Sequence, residues 1–210
     1  MKLIILFCTV KFNREDILKV AFDEFMVNGY ATPIISSLQQ KLGMSRGALY
    51  RHFKCKDELF KIVVDTYFFH TLERITDKID ASICVPELVR SLGKRQRLIA
   101  KLITTKGGSR FTFLNFNNLM IQAARYYPGF TIRYKKIQLH VQNQWRIALL
   151  NSIGTNEIRK DTDVNLLSRL FTKIYFMDTR DDFPIKDARK NIDGQDQFVM
   201  YLYELVKVKS

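Results

Sequence analysis

Apolar side chains recur three and four residues apart along nearly the whole chain. Ile17, Ala21 and Phe25 begin this pattern, and it returns in later segments such as 166–177. The spacing matches the period of an α-helix, and no stretch of useful length alternates as a half-buried strand would. The pattern therefore predicts an all-α protein of about nine helices.

Glycine falls where the first predicted helices should end. Gly29 follows a helix over residues 14–28, and we expect it to end this helix in the left-handed αL conformation. Gly43 follows a short second helix that holds Leu38 and Leu42. Further along the chain, residues 107–109 and 178–194 are predicted to be loops.

A sharp turn and a short basic helix follow Gly43. Ser45 is placed to cap a third helix over residues 46–53, and Leu49 and Phe53 would face inward because they are four residues apart. Two short helices joined by a glycine-containing turn are typical of a helix-turn-helix. The second helix of such a unit enters the major groove of DNA.

Several side chains around this turn have the chemistry that DNA contacts need. Gly47 and Ala48 permit close approach, and Arg46 can reach a guanine edge. Phosphates can accept hydrogen bonds from Ser45, Tyr50 and His52, and from Lys56 at the start of the next helix. The predicted DNA-binding residues are Thr32, Ser36, Ser45, Arg46, Gly47, Ala48, Tyr50, Arg51, His52 and Lys56.

Residues 14–59 resemble the TetR family of transcriptional regulators. The matching residues are Arg14, Ile17-Leu18, Ala21, Phe25, Gly29-Tyr30, Leu38, Leu42-Gly43-Met44-Ser45, Gly47, Leu49-Tyr50, His52-Phe53, Lys56-Asp57 and Leu59. The resemblance implies a three-helix helix-turn-helix DNA-binding domain followed by a helical ligand-binding and dimerisation domain. We place the boundaries at residues 1–12 for an N-terminal extension, 13–56 for the DNA-binding domain and 57–210 for the second domain.

The chain departs from the family pattern at a few positions. Pro33-Ile34 replaces the hydroxyl pair that opens the second helix, Gln39 replaces a packing alanine, and Cys55 replaces an Asn or Ser cap of the fourth helix. Thr32 and Ser36 are the hydroxyls available to replace the missing one.

The resemblance also implies that the last long helices pair two subunits in a four-helix bundle. Here these helices are predicted near residues 163–177 and 195–208. A homodimer is expected because a two-fold operator requires a two-fold protein. The predicted dimerisation residues are Leu167, Leu170, Phe171, Ile174, Phe198, Leu202 and Leu205.

Composition narrows the class of protein. The hydrophobic fraction of 47% is enough for a packed core, and no apolar run is long enough to cross a membrane. The three scattered cysteines form no CxxC pair or Cys/His cluster, which favours a cytoplasmic protein without a bound metal. No catalytic or cofactor motif such as GxSxG, HExxH, a P-loop or GxGxxG occurs, so we expect neither an enzyme nor a cofactor.

The net charge of +13 is unevenly spread, since residues 88–156 hold 12 basic residues and no acidic one. This stretch would suit an anionic amphipathic effector in a Phe-lined pocket, an auxiliary contact with DNA, or a solvated face partly paired with the acidic segment 57–87. The predicted pocket residues are Phe113, Phe116, Met120 and Trp145.

The sequence thus predicts a DNA-binding transcriptional regulator, a ligand-responsive repressor that binds a palindromic operator as a homodimer. Its partners would be double-stranded DNA, a second copy of the chain and an apolar or anionic small molecule. The alternative is a ligand-binding or membrane-associated helical protein with a weakened DNA-binding domain.

Overall fold

The fold is built from helices alone, as the apolar spacing predicts. The computed structural model describes residues 12–77, 79–107, 113–176 and 188–208. Within these ranges the chain forms ten α-helices and one π-helical turn, and extended pairing is limited to an isolated bridge between Ile158 and Lys207.

Three short helices form the N-terminal unit, here called the head (residues 12–55). They are α1 (Arg14–Asn28), α2 (Ile34–Leu42) and α3 (Arg46–Tyr50). The first begins in a capping box, since Asn13 and Asp16 each accept a hydrogen bond from the other's backbone N–H, at 2.9 and 3.1 Å. The third helix is shorter than predicted, because residues 51–52 already form a turn.

A continuous helix leads out of the head and is here called the connecting helix (residues 56–76). It consists of α4 (Lys56–Val64), the π-helical turn Asp65–Phe69, and α5 (His70–Thr76). Because this helix begins at the head and ends in the rest of the molecule, it links the two mechanically.

Five more helices follow in what we call the body, the described residues after 76. They are α6 (Val85–Gly107), α7 (Phe113–Tyr126), α8 (Phe130–Gly154), α9 (Val164–Tyr175) and α10 (Ala188–Glu204). The predicted loop over 178–194 is wrong in its last part, because α10 begins at residue 188 and Gly194 lies inside it. Residues 108, 109 and 178–187 of the predicted loops lie outside the described ranges.

Two apolar clusters hold these helices together. The first cluster contains the buried apolar side chains of the head and of the connecting helix as far as Phe69, and also Leu119 and Ala123 of α7 with Phe130 and Ile137 of α8. The second lies wholly beyond residue 74 and is formed by α5, α6, α8, α9 and α10. The first cluster therefore crosses the predicted boundary at residue 56 and packs the head directly on the body.

Phe12, the first described residue, is partly buried against the first cluster. The remainder of the predicted N-terminal extension, residues 1–11, lies outside the described ranges. Among the described helices, none combines the length and the apolar character that crossing a membrane requires.

A buried carboxylate ties α1 to α2 inside the head. Glu24 is only 5% exposed and accepts hydrogen bonds from Asn28 Nδ2 at 3.1 Å, from the Ser37 hydroxyl at 2.5 Å and from the Lys41 ammonium. Burial works against the charged form, but the bonds from Lys41 and Ser37 outweigh it and hold the pKa of Glu24 below its usual value.

Replacing Glu24 should weaken the fold in a pH-dependent way. We expect Glu24→Gln to lower the free energy of unfolding near neutral pH by about 2 kcal/mol, because charge-assisted hydrogen bonds are lost in a buried site. Since the pKa is lowered in the folded state, this contribution exists above the ordinary carboxyl pKa and disappears as the pH falls through the folded value. Urea unfolding across this pH range measures the difference.

The matched control is Glu15→Gln, which removes the same charge from an exposed position on the same helix. It should change stability by less than about 0.5 kcal/mol. An equal loss in both variants, or a loss in Glu24→Gln that does not shrink at acid pH, would contradict the role given to this carboxylate.

Candidate DNA-binding interface

The turn that carries the candidate interface has the geometry that the sequence predicts. Gly43 lies in the left-handed region at φ 61° and ψ 22°, which glycine adopts without strain. The Ser45 hydroxyl oxygen accepts the Ala48 N–H at 3.2 Å and so caps α3. The side chains of Leu49 and Phe53 are buried, which confirms the inward-facing pair.

The opposite side of α3 faces solvent. The Arg46 guanidinium lies 5.5 Å from the centre of the Tyr50 ring, so a cation and an aromatic hydroxyl are presented together at the surface. All the other predicted DNA-binding side chains are also accessible. The exposed residues are Ser36, Ser45, Arg46, Gly47, Tyr50 and Arg51, and the partly exposed residues are Thr32, Ala48, His52 and Lys56.

The start of α2 differs from the expectation that Thr32 or Ser36 replaces the missing capping hydroxyl. This helix begins after Pro33 without any side-chain cap. The Thr32 hydroxyl instead donates to the Asn28 carbonyl at 2.5 Å, back toward α1. The prediction that Thr32 or Ser36 caps α2 is therefore wrong. Contact of these two residues with DNA stays a prediction.

The predicted start of the fourth helix is confirmed, with Cys55 at its N-cap and Lys56 as its first residue. Cys55 makes no capping bond through its side chain, and Glu58 accepts the Lys54 N–H at 2.5 Å instead. The Lys56 ammonium donates to the Thr32 carbonyl at 3.0 Å. Two predicted DNA-binding residues from different elements therefore meet beside the helix-turn-helix.

Gly29 ends α1 in a conformation other than the predicted αL. Its φ is 75° and its ψ is 177°, a region that essentially only glycine adopts. A Cβ atom at this position would stand 2.7 Å from the side-chain amide nitrogen of Gln122 on α7. The constraint on this glycine is thus mainly conformational, and a Cβ atom would in addition displace the end of the Gln122 side chain.

Sequence reasoning missed the role of Tyr30, the residue after this glycine. Its ring is stacked on Tyr126 of α7 with the centroids 4.1 Å apart, and the Lys56 ammonium lies 4.5 Å from its centroid. Its hydroxyl donates to the Asp57 carboxylate, and this hydrogen bond, with burial and charge adding to it, raises the pKa of Tyr30 to about 12. The only sequence signal was the Gly-Tyr pair at the end of α1.

The acidic segment 57–87 does neutralise part of the basic stretch. Arg133 of α8 donates to Asp65 at 2.5 Å and to Glu73 at 2.8 Å, and its guanidinium lies 4.2 Å from the centre of the Phe69 ring. Asp65 also accepts the Tyr127 hydroxyl at 2.8 Å. These bonds anchor the π-helical turn of the connecting helix to the first turn of α8.

The predicted dimerisation residues divide into two sets. Leu167, Phe171 and Ile174 are buried in the second apolar cluster of their own subunit. Leu170, Phe198 and Leu205 are exposed, and Leu202 is partly buried. Two neighbours that the sequence analysis did not single out, Leu166 and Tyr201, are exposed as well.

The predicted effector-pocket residues are not gathered in one place. Met120 packs on the first cluster, whereas Trp145 is buried in the second with its ring edge-on to Phe171 at 5.4 Å. The side chains of Phe113 and Phe116 lie outside the described part of the chain.

A cleft of about 460 Å³ instead opens between α5 and α8. It lies where the connecting helix ends, and there the Thr76 carbonyl accepts Gln144 Nε2 at 2.7 Å and lies 2.9 Å from the His140 ring. Its lining mixes both signs of charge. The residues are Glu73, Thr76, Asp77, Arg133, Lys136, Ile137 and His140. Within the described residues, no group of His, Cys, Asp and Glu side chains is arranged to hold a metal ion.

Comparison with known proteins supports this interface. Residues 17–63 match the family model described as bacterial regulatory proteins, tetR family. No significant match was found among curated protein sequences.

Solved structures share the fold over nearly the whole chain. A TetR-family transcriptional regulator from Cytophaga hutchinsonii is 18% identical with a TM-score of 0.61, covering 94% of this chain and 96% of that one. A TetR transcription regulator from Haloarcula marismortui is 16% identical with a TM-score of 0.63, at 93% and 98% coverage. A putative transcriptional regulator from Saccharomonospora viridis, solved in complex with choline, is 15% identical with a TM-score of 0.58, at 94% and 98% coverage.

The hydrogen bond from Tyr30 to Asp57 makes a prediction that can be titrated. Tyr30→Phe should lower the free energy of unfolding by about 1 kcal/mol at neutral pH. Because the folded pKa is raised above that of an unfolded tyrosine, the contribution is full below the unfolded pKa and is lost as the pH rises through about 12. Chemical unfolding of both proteins from neutral to alkaline pH measures the difference.

Tyr50→Phe removes a hydroxyl from an exposed ring in the same domain and serves as the control. Burial also raises the pKa of several other tyrosines, among them Tyr134, Tyr175 and Tyr203. Ultraviolet titration should therefore show one late-titrating tyrosine fewer in Tyr30→Phe than in the wild type, and the same number of late-titrating tyrosines in Tyr50→Phe as in the wild type. A wild-type titration in which Tyr30 ionises together with the exposed tyrosines would contradict the assignment.

Proposed function

Because the chain belongs to the TetR family of bacterial regulatory proteins, we propose that it is a ligand-responsive repressor that binds a two-fold operator as a homodimer. The observation that carries this proposal is the surface of α3. Leu49 anchors the helix in the first apolar cluster, while Arg46, Gly47 and Tyr50 on the opposite side are open to solvent. A short, capped helix with one buried and one polar face is what a major groove accommodates.

Some of the accessible side chains would contact bases, and others would contact phosphates. Arg46 has the fork of donors that recognises guanine, and Gly47 lets the backbone approach because no atom stands within 4 Å of its Cβ position. The Ser45 oxygen is used as an acceptor within α3, which leaves its O–H to donate to a phosphate. The net charge of +13 favours approach to DNA at long range.

Exposed apolar side chains on α9, on α10 and directly after α10 support the homodimer. Leu170 is 37%, Phe198 49% and Leu205 58% exposed, and each lies beside residues of the second cluster. Large exposed apolar patches on a protein often mark an interface with a partner. Pairing these helices with their copies would give the isologous contact that a two-fold operator needs.

The cleft at the end of the connecting helix supports a small-molecule site in the body. Its carboxylates and cations favour a small polar effector over the apolar one that the phenylalanines predict. The similar protein from Saccharomonospora viridis was solved with choline, which is a small charged molecule. A ligand in the cleft would act on the residues that hold Thr76, and through the connecting helix on the head.

Removing the Arg46 guanidinium should weaken specific DNA binding. We expect Arg46→Ala to lower the affinity for DNA from upstream of the protein's own gene by about tenfold or more, because a base contact is lost. The affinity should fall steeply with salt for the wild type, since bound phosphates release their counterions. A mobility-shift titration at several salt concentrations measures both effects.

Lys160→Ala removes the same charge from an exposed position in the loop before α9 and is the matched control. It should bind like the wild type at a given salt concentration. An equal loss in the two variants would mean that net charge alone drives binding and would exclude a reading role for α3.

A charge in the exposed apolar surface of α10 should separate the subunits. We expect Phe198→Asp to raise the dimer dissociation constant by about 100-fold, because a carboxylate would be buried against apolar side chains of the partner. Sedimentation velocity over a range of concentrations measures the dissociation constant. Leu139→Glu on the exposed side of α8 is the control and should leave the dimer intact.

A further inference from the structure

We propose that Gln122 of α7 is a positioning residue that locks the head on the body by accepting the backbone N–H of Tyr30, and that Tyr126 completes this lock. The inference rests on the proposed function, because the angle of the head has a consequence only if the head binds DNA. The lock is formed by residues 92 positions apart in the sequence.

The carboxamide of Gln122 is fixed at both ends. Its Oε1 accepts the Tyr30 N–H, and its Nε2 donates to Asn118 Oδ1 at 3.0 Å, one turn earlier on α7. An acceptor that is already oriented loses little rotamer freedom when it forms the bond. Gln122 is thus prepared to hold the chain where α1 ends.

The backbone of the head approaches this amide more closely than a side chain would allow. Gly29 has no Cβ, and one placed there would meet Gln122 Nε2 at 2.7 Å. The φ of 75° and ψ of 177° at Gly29 turn the N–H of the next residue toward α7. The missing Cβ of Gly29 and its backbone angles therefore both allow the contact between Gln122 and Tyr30.

The ring of Tyr30 extends the contact to the connecting helix. Tyr126 stacks on it at 4.1 Å, and Phe60 of α4 meets it edge-on at 4.8 Å. Its hydroxyl is bonded to Asp57, and the ammonium of Lys56 lies against the ring while donating to the Thr32 carbonyl. A shift of α7 would consequently reach Lys56 and Thr32, both predicted to contact DNA.

Two near-isosteric substitutions separate the hydrogen bond from the bulk of the side chain. Gln122→Met keeps the length but replaces the amide oxygen by a thioether sulfur, which is only a weak acceptor for the Tyr30 N–H, whereas Gln122→Glu keeps an acceptor oxygen. Gln142→Met on α8 makes the same change at a partly exposed position and is the control.

The chain provides its own pair of probes for the angle of the head. Trp145 is the sole tryptophan and is buried in the second cluster of the body, while Cys55 is exposed in the head. With Cys8 and Cys84 replaced by serine, a fluorescent acceptor on Cys55 receives energy from Trp145. The time-resolved decay of Trp145 in the protein without DNA then reports the distribution of head-to-body distances.

We expect one narrow distribution in the wild type, in Gln122→Glu and in Gln142→Met, and a broader one in Gln122→Met. The same variant should bind operator DNA about five- to tenfold more weakly, since one hydrogen bond per subunit is lost. A narrow distribution in Gln122→Met would overturn the lock. If the distribution broadens but the wild type binds no DNA, the lock stands and the proposed repressor function fails.

A measurement on the wild type keeps the proposal testable if Gln122→Met does not fold. Hydrogen exchange resolved to single amides should show the Tyr30 N–H protected as strongly as the interior of α1. Rapid exchange at Tyr30 beside protected neighbours would contradict the lock.

Discussion

Packing of the head against α7 and the start of α8 is the interaction on which the rest of the structure depends. The head alone is three short helices, and α3 spans five residues, fewer than an isolated helix needs for stability in water. Leu119, Ala123 and Phe130 complete the cluster that buries Phe25 and Phe60. The surface proposed to face DNA is therefore held in shape by residues that lie far along the chain.

The connecting helix also fixes the position of the head, because the body holds this helix at its middle and at its end. Near its middle, the π-helical turn is fixed to α8 by the bonds from Arg133 and Tyr127 to Asp65. At its end, Arg95, His140 and Gln144 hold the last carbonyl groups. Every contact that the body makes with this helix bears on the position of the head, and the proposed small ligand would act on the candidate DNA-binding surface through these contacts.

Features of this fold that depend on neighbouring residues could be predicted from the sequence. Contacts between residues far apart in the sequence could not. The bounds of α1, the left-handed Gly43, the Ser45 cap and the inward pair Leu49 and Phe53 follow from rules that involve only nearby residues. The start of α10 was misjudged because Gly194 is a helix breaker by propensity, yet packing of α10 on α6 overrides that preference.

The contact of Gln122 with Tyr30 has no local signature, since a single glutamine on a helix surface looks like any other. The apolar stripe of α9 was recognised, but periodicity alone does not tell which side faces the subunit's own core. The structure separates Phe171, which is buried, from Leu170, which is exposed. Similarly, the aromatic character of Trp145 favoured a pocket, whereas its neighbours make it part of the second cluster.

A footprint titration on the DNA upstream of the protein's own gene tests most directly whether two copies of this helix-turn-helix read a two-fold site. We expect two protected half-sites, related by a dyad and separated by about one helical turn or a small multiple of it. Uniform protection that varies with salt concentration and not with DNA sequence would show that the exposed face of α3 binds DNA without reading it. That result would contradict the proposed function.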